Sequence, residues 1–264
     1  MSNYMDFAAV YDLLTREIDY EARGRYFDQV ILRHGGFHGI LLDLGCGTGS
    51  LSEVMTGLGY DVIGVDNSPG MLTAALDKRL ESGSDITYLC QDMTRLDLFG
   101  TVDVVLSALD SLNHLTCYED FCAAIKKAAF FLHPDGVVVF DLNTPYKHRQ
   151  VLGNNTFVYD MDSVYCIWQN TLKEGDLVEM SLDLFIADED GRYDRREDGF
   201  GERAYSHEQV CSALYDAGLR LEAVYDEDSF DPPRPDSQRL IYVARLDPDR
   251  DVFRQSAPKP PQML

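Results

Sequence analysis

At 264 residues the chain can bury a sizeable core in one or two domains, and a hydrophobic share of 45% with 15 Tyr and 13 Phe marks it as globular. Its 45 Asp and Glu outweigh 23 Lys and Arg for a formal net charge of −22, so a non-specific hold on phosphate backbones or anionic lipid would work against the protein's own field. Nucleic acid and membrane are thereby disfavoured as partners, since the basic residues are scattered among carboxylates, as in "YDRREDGFGER", and no apolar run is long enough to span a bilayer.

The opening "MSNYMDFAAVYD" has neither a basic n-region nor a long apolar h-region, and the six cysteines lie apart without CxxC pairs. Reduced thiols and a cytoplasmic location are expected. Residues 4–33 carry apolar positions at helical spacing, Phe27, Val30 and Ile31 among them, and end at the helix stop "RHGGFHG". From there strands and helices alternate. "GILLDL" reads as a buried strand, "SLSEVMTGLG" as a helix, "DVIGVD" as a strand, and "SPGMLTAALDKRLESG" as a helix with Ser68 as N-cap and Pro69 at its first position. "ITYLC", "VDVVLS" and "GVVVFDL" are three more apolar strands, and Thr116 with Glu119 predicts a capping box heading a helix over 117–132. Continuous apolar strands between helices predict a parallel sheet covered on both faces, an α/β fold.

The rhythm breaks after about residue 154. In "VEMSLDLF", Val178, Met180, Leu182 and Leu184 point one way and Glu179, Ser181 and Asp183 the other, predicting a half-exposed antiparallel sheet over 155–205. A capping box from Ser206 to Gln209 restarts the helix–strand rhythm, which runs through "LRLEAVY" to "RLIYVARL". The expected organisation is a core of 1–154 and 206–246 with residues 1–37 as a helical cover, a β cap at 155–205, and a disordered tail at 247–264.

The stretch "LLDLGCGTGS" after the first strand is the chemical centre of the sequence. Gly45, Gly47 and Gly49 let backbone N–H groups approach a ligand that a Cβ would block. Their G-x-G-x-G spacing departs from the G-x-G-x-x-G/A of dinucleotide sites and counts against NAD. Asp66, at the end of the next strand, is placed to accept from ribose hydroxyls, which either cofactor class would need.

With these residues in order, the chain resembles a class I S-adenosylmethionine (SAM)-dependent methyltransferase. "LLDLGCGTGS" is similar to that family's first motif, "VIGVDNSPGML" to its second, "CQDMTRL" to its acidic third, "HPDGVVVFDLNTP" to its fifth strand and lead-in, and "SQRLIYVARL" to its reversed last strand. The resemblance implies a Rossmann-like, doubly wound, mostly parallel sheet of seven strands with an antiparallel last strand, and a β cap inserted after the fifth. It implies that Gly45, Cys46, Gly47 and Gly49 pack against the methionine and ribose parts of the cofactor, with Asp43 reaching its ammonium. By the same resemblance Asp66 binds the ribose diol, Asn67 and Met71 border the adenosine, Asp92 accepts from the adenine amino group beside Met93, and Ser107 lies by the methionine end. "FAAVYDLL" and the inserted sheet also resemble a subgroup of small methyltransferases closed by an N-terminal helix and β cap, which makes Tyr11 a candidate contact for the cofactor carboxylate.

In-line methyl transfer requires no metal, and none is expected; His34 and His38 flank glycines in a loop and make a poor metal pair. The segment "SALDSLNHLT" lacks the Asn/Asp-Pro-Pro-Tyr/Phe signature of enzymes that methylate base or amide nitrogens. It offers Asp110, Asn113 and His114, of which His114 could remove a proton near neutral pH and Asp110 could orient an amine. From the cap, Tyr159, Tyr165, Trp168 and Tyr205 are candidates to wall an apolar or cationic acceptor. The expected function is methyl transfer to an N or O nucleophile of a small molecule, by a monomer or homodimer whose cap selects the acceptor without building the cofactor site. The alternatives are an RNA or protein methyltransferase, a non-catalytic SAM-binding module, and a nucleotide-dependent oxidoreductase.

Overall fold

Five apolar strands order the molecule: β1 (Ile40–Leu44), β2 (Asp61–Asp66), β3 (Thr87–Cys90), β4 (Val102–Ser107) and β5 (Leu132–Asn143). The computed structural model describes residues 5–161, 163–188 and 190–250, so the tail expected at 247–264 lies outside them beyond residue 250. With β10 (Leu219–Asp226) and β11 (Arg239–Leu246), the five strands form one sheet in the order β3-β2-β1-β4-β5-β11-β10. β1 to β5 run parallel, and β11 is antiparallel to both neighbours. The order reverses between β1 and β4, so the connections leaving their carboxyl ends diverge and open a crevice.

Alternating side chains feed two cores. On one face Leu42, Leu44, Val105, Val138 and Phe140 meet Phe121, Ala124 and Ile125 of α5 (Tyr118–Phe131). On the other, Leu41, Val104, Leu106 and Val139 meet Phe27, Val30 and Ile31 of α2 (Tyr20–Arg33) and Leu51 and Met55 of α3 (Ser50–Gly57). The doubly buried strands are the continuous apolar runs of the sequence. No helix among the described residues is long and apolar enough to cross a membrane.

Local signals meet mixed outcomes. Ser68 caps α4 (Pro69–Ser82) by accepting from the Met71 N–H at 3.3 Å, and the Ser206 capping box forms at the head of α6 (His207–Asp216). At α5 the Thr116/Glu119 box does not form. Cys117 is the N-cap, without a side-chain capping bond, and its thiol donates to the Glu119 carboxylate at 2.7 Å. The helical stretch at 4–33 is two helices, α1 (Met5–Leu14) and α2, because Asp19 accepts from the Ala22 N–H at 2.8 Å and restarts the chain as a new N-cap.

The inserted sheet comprises β6 (Thr156–Asp160), β7 (Val164–Leu172), β8 (Leu177–Ala187) and β9 (Tyr193–Arg203), all antiparallel and adjacent in chain order. Val178, Met180, Leu182 and Leu184 are buried as their alternation requires. Val164, Cys166, Leu182 and Leu184 share a core cluster with Ala8, Val10 and Leu14 of α1 and with Met71. The insert therefore seats α1.

Candidate active site

A cavity of about 510 Å³ lies at the carboxyl ends of β1, β2 and β4, under α1 and the inserted sheet. β1 delivers Asp43, whose carboxylate accepts from the Ser52 hydroxyl at 2.5 Å. Burial pushes the pKa of Asp43 up to about 6, with Asp66 adding to the rise and the Ser52 bond opposing it. The turn then folds back on β2: the N–H groups of Gly45 and Cys46 donate to the Val65 carbonyl at 2.8 and 3.0 Å. Gly45 sits at φ +82°, and a Cβ there would meet the Ser111 Cβ at 2.6 Å, so only glycine fits. Asp66 braces the same turn, accepting from the Gly47 N–H at 2.9 Å and the Ser68 N–H at 2.8 Å. Burial raises its pKa while those backbone bonds oppose the rise.

Asn67, Met71, Asp92 and Met93 line the cavity beside Asp66. Asp92 caps the short turn that follows β3 by accepting from the Thr94 N–H and hydroxyl at 2.8 and 2.7 Å. Tyr11 lines the cavity from α1, its phenol held well above its ordinary pKa, first by burial and then by Tyr20 and nearby carboxylates. Next to Tyr11 in α1, Asp12 accepts from Thr48 at 2.6 Å and pairs with Lys78 of α4 at 2.7 Å, while Lys78 also donates to Ser50 at 2.6 Å. That cluster fastens the N-terminal helix across the glycine turn.

The other end of the cavity is built on strained backbone. Leu109 and Asp110 adopt φ of 55° and 58°, and the Asp141 carboxylate from β5 holds both of their N–H groups, at 2.8 and 2.6 Å. Arg239 of β11 ties this carboxylate to Asp110, with Nη1 2.8 Å from Asp141 and 3.0 Å from Asp110. Asp110 and His114 both reach the cavity. The guanidinium and nearby cations hold Asp110 below the usual carboxylate range despite burial, and burial lowers the pKa of His114. Opposite them the inserted sheet contributes Tyr159, Trp168, Phe200 and Glu202. Trp168 stands edge-on to Phe200 at 5.6 Å between centroids, and Phe200 lies 5.1 Å from the His114 ring. Burial, reinforced by Asp110, pushes the pKa of Glu202 up to about 8, against the pull of Asn143, Lys147 and Arg239.

Five expected contacts fall outside the cavity lining, each for a packing reason. Gly49 starts α3 in the left-handed region, where its open side faces the Tyr88 hydroxyl. Ser107 is buried and donates to the Leu44 carbonyl at 2.7 Å, joining β4 to β1. Asn113 is fully buried, donating to the carbonyls of Asn143 and Arg203 and accepting from the Asn143 N–H at 2.9 Å, so it welds the inserted sheet to the core. Tyr165 packs against Phe185, and Tyr205 packs tilted against Phe121 while its hydroxyl bonds the Leu115 carbonyl. His34 and His38 take separate partners, Tyr225 and Asp28, each at 2.8 Å.

Phe200, Glu202 and Arg239 went unread in the sequence. A signal for the first two exists: on β9 they stand opposite Met180 and Val178, the apolar side of β8, so their side chains face inward within a strand otherwise rich in charges of both signs. Arg239 carries no local signal, because its partners lie far away in sequence.

Residues 41–136 match the family model described as a methyltransferase domain. A protein from Geobacillus sp. (strain WCH70), provisionally named as a methyltransferase, is 30% identical over 92% of this chain and 99% of its own length. The dTDP-3-amino-3,4,6-trideoxy-alpha-D-glucopyranose N,N-dimethyltransferase of Streptomyces venezuelae is 28% identical over 83% of this chain and 92% of its own. The crystal structure of a SAM-dependent methyltransferase from Clostridium acetobutylicum ATCC 824 superposes with a TM-score of 0.84 at 32% identity, covering 92% of this chain and 98% of the other. Likeness over whole chains, the seven-stranded sheet order and the glycine turn at its switch point agree: the chain belongs to the class I SAM-dependent methyltransferases, and SAM is its cofactor.

Proposed function

We propose that the protein moves the methyl group of SAM to a nitrogen or oxygen nucleophile of a small molecule. The observation that carries this reading is a single roofed cavity whose one end is the glycine turn with Asp66 and whose other end is aromatic and acidic. Its volume of about 510 Å³ suits a cofactor and a small acceptor better than a polymer. The residues fit the cofactor. Gly47 has φ +54° and nothing within 4 Å of where a Cβ would stand, leaving room for a ligand against the turn, and Asp66 and Asp92 supply acceptors for hydroxyl and amino donors. Asp43, Gly45, Cys46, Gly47, Asn67, Met71, Met93 and Tyr11 are assigned to the same task.

When bound, SAM supplies an electrophilic methyl on a sulfonium. The chain's contribution is placement and dryness: Tyr159, Trp168 and Phe200 hold the acceptor's body, the Asp110–His114 loop faces its nucleophile, and α1 with the inserted sheet excludes water. The Streptomyces relative, named for dimethylating an amino sugar nucleotide, supports a small nitrogen acceptor. Incubating the protein with methyl-labelled SAM and a cell extract should place label in a fraction below about 1 kDa, the size such pockets take. Label confined to tRNA, rRNA or protein would overturn the small-molecule reading.

A further inference from the structure

Two buried carboxylates, Asp141 and Glu202, and the partly buried Asp110 crowd the acceptor end, and all but Glu202 have cations. Asp141 has Arg239 at 2.8 Å and Arg23 at 3.8 Å, and Asp110 has Arg239 at 3.0 Å. Glu202 is only 4% exposed and, among the described residues, has no Lys or Arg nitrogen within 4 Å. Its nearest nitrogen partners are Asn143 Nδ2 at 3.2 Å and the Nε2 atoms of His114 and His148, each at 3.8 Å. Burial lowers the pKa of both histidines. Lys147 reaches Asn143 Oδ1 at 2.9 Å, and its own pKa is lowered by burial. Arg239 also stands 3.1 Å through Nε from Glu227, an ion pair without hydrogen-bond geometry.

A buried carboxyl in such surroundings stays neutral until a cation arrives to share its desolvation. The cavity beside Glu202 is walled by Phe200, Trp168 and Tyr159, and ring faces favour a cation over an uncharged hydroxyl. β9 places Phe200 and Glu202 two residues apart on one face, so ring and carboxyl address the same ligand.

Resting on the proposed small-molecule reading, we infer that the acceptor is an amine and that Glu202 is the catalytic residue that receives its ammonium and takes its proton. The entering ammonium displaces the carboxyl proton to solvent and pairs with the carboxylate. One N–H bond then breaks as an O–H bond forms on Glu202, and the freed nitrogen lone pair forms the N–C bond as the methyl–sulfur bond breaks with its electron pair on sulfur. Charge balances: ammonium, carboxylate and sulfonium become methylammonium, neutral acid and thioether. Glu202 keeps that proton as the neutral acid, which its buried surroundings favour, until the product leaves.

The test has a binding arm and a turnover arm. Calorimetry on the full chain saturated with S-adenosylhomocysteine compares choline, a permanently charged mimic of a methylated amine, with its uncharged isostere 3,3-dimethylbutan-1-ol. Choline should bind at least about tenfold more tightly and release a proton seen as a dependence on buffer ionisation heat, and Glu202→Gln should abolish the proton release and reduce the preference to what the rings alone give. Equal affinity for the two probes, no binding of choline, or an unchanged preference in Glu202→Gln overturns the inference. In the turnover arm the labelled product from the extract should be an N-methyl compound. Glu202→Gln should lower kcat/KM by about 10²- to 10⁴-fold and remove the limb of the pH profile near pH 8, while SAM affinity stays within a few-fold and Glu202→Asp restores part of the rate. An O-methyl product overturns the amine assignment and leaves the small-molecule reading standing, whereas label found only in macromolecules defeats that reading instead.

Discussion

Asp66 braces the fold at the place where the proposed cofactor site lies. It accepts from the Gly47 N–H of the glycine turn and from the Ser68 N–H at the head of α4, and it still lines the cavity. Asp66→Ala should therefore weaken SAM binding by about 1.5–3 kcal/mol, the worth of charge-assisted bonds to a ligand, and calorimetry giving unchanged affinity would remove Asp66 from the cofactor site. Glu202 makes a different prediction, in pH. Its folded pKa is raised from 4.5 to about 8, so the folded state holds a proton that the unfolded chain releases between those values. The stabilisation is fully present below 4.5 and is lost as pH climbs through about 8. Thermal midpoints of the ligand-free protein should fall over that window, and Glu202→Gln should flatten the fall. A variant with the wild-type slope would show that Glu202 titrates normally.

Among the elements, the inserted sheet is proposed to hold the acceptor, and it also packs on α1. Because Val164, Cys166, Leu182 and Leu184 form the seat of α1, and Met71 joins the same cluster, the sheet also shapes the wall assigned to the cofactor. This packing argues against the division of labour expected from the sequence, in which the cap is indifferent to SAM. Leu182→Ala should cost about 2–5 kcal/mol in denaturant melts, as a fully buried Leu does, and should also weaken SAM binding by loosening α1. SAM affinity untouched by that loss would restore the simpler division. The Asp12–Lys78 link across the glycine turn is half exposed, with 42% and 27% of the side chains accessible, so it contributes under about 1 kcal/mol to folding. Lys78→Ala should leave the melting midpoint nearly unchanged and speed SAM dissociation in stopped flow, since the pair latches α1 over the ligand. Equal dissociation rates would mean that α1 does not gate the site.

For the whole molecule, the formal charge of −22 sets the solution behaviour. On the exposed edge of the inserted sheet some carboxylates have arginine partners, Arg195 with Asp183 and Glu197, and Arg196 with Asp194. The net excess of negative charge repels itself in the compact state. Raising salt from about 0.01 M to about 0.1 M shortens the Debye length from about 30 Å to about 10 Å, so the thermal midpoint should rise across that range. A midpoint that stays flat or falls would show that short-range ion pairs outweigh the net repulsion.

What the sequence determined by itself is what local periodicity and short motifs encode. The doubly buried strands are legible as unbroken apolar runs such as "GVVVFDL", the inserted sheet as the alternation of Val178 to Leu184, and the glycine turn as three glycines after a strand, because each depends on neighbours a few residues apart. The order of those motifs was enough to reach the family. Tertiary structure alone decided which side chains share the cavity. Asn113 looked available beside His114, yet the carbonyls of Asn143 and Arg203, 30 and 90 residues away, bury it. Tyr205 was drawn into the α5 core by Phe121, 84 residues earlier in the chain, and so leaves the aromatic wall to Tyr159, Trp168 and Phe200. Arg239 meets Asp110 and Asp141 only because β11 returns antiparallel beside β5. Glu202 has no Lys or Arg nitrogen within 4 Å among the described residues, while Arg239 stands against Asp110, Asp141 and Glu227, a fact of long-range electrostatics that no stretch of sequence around residue 202 contains.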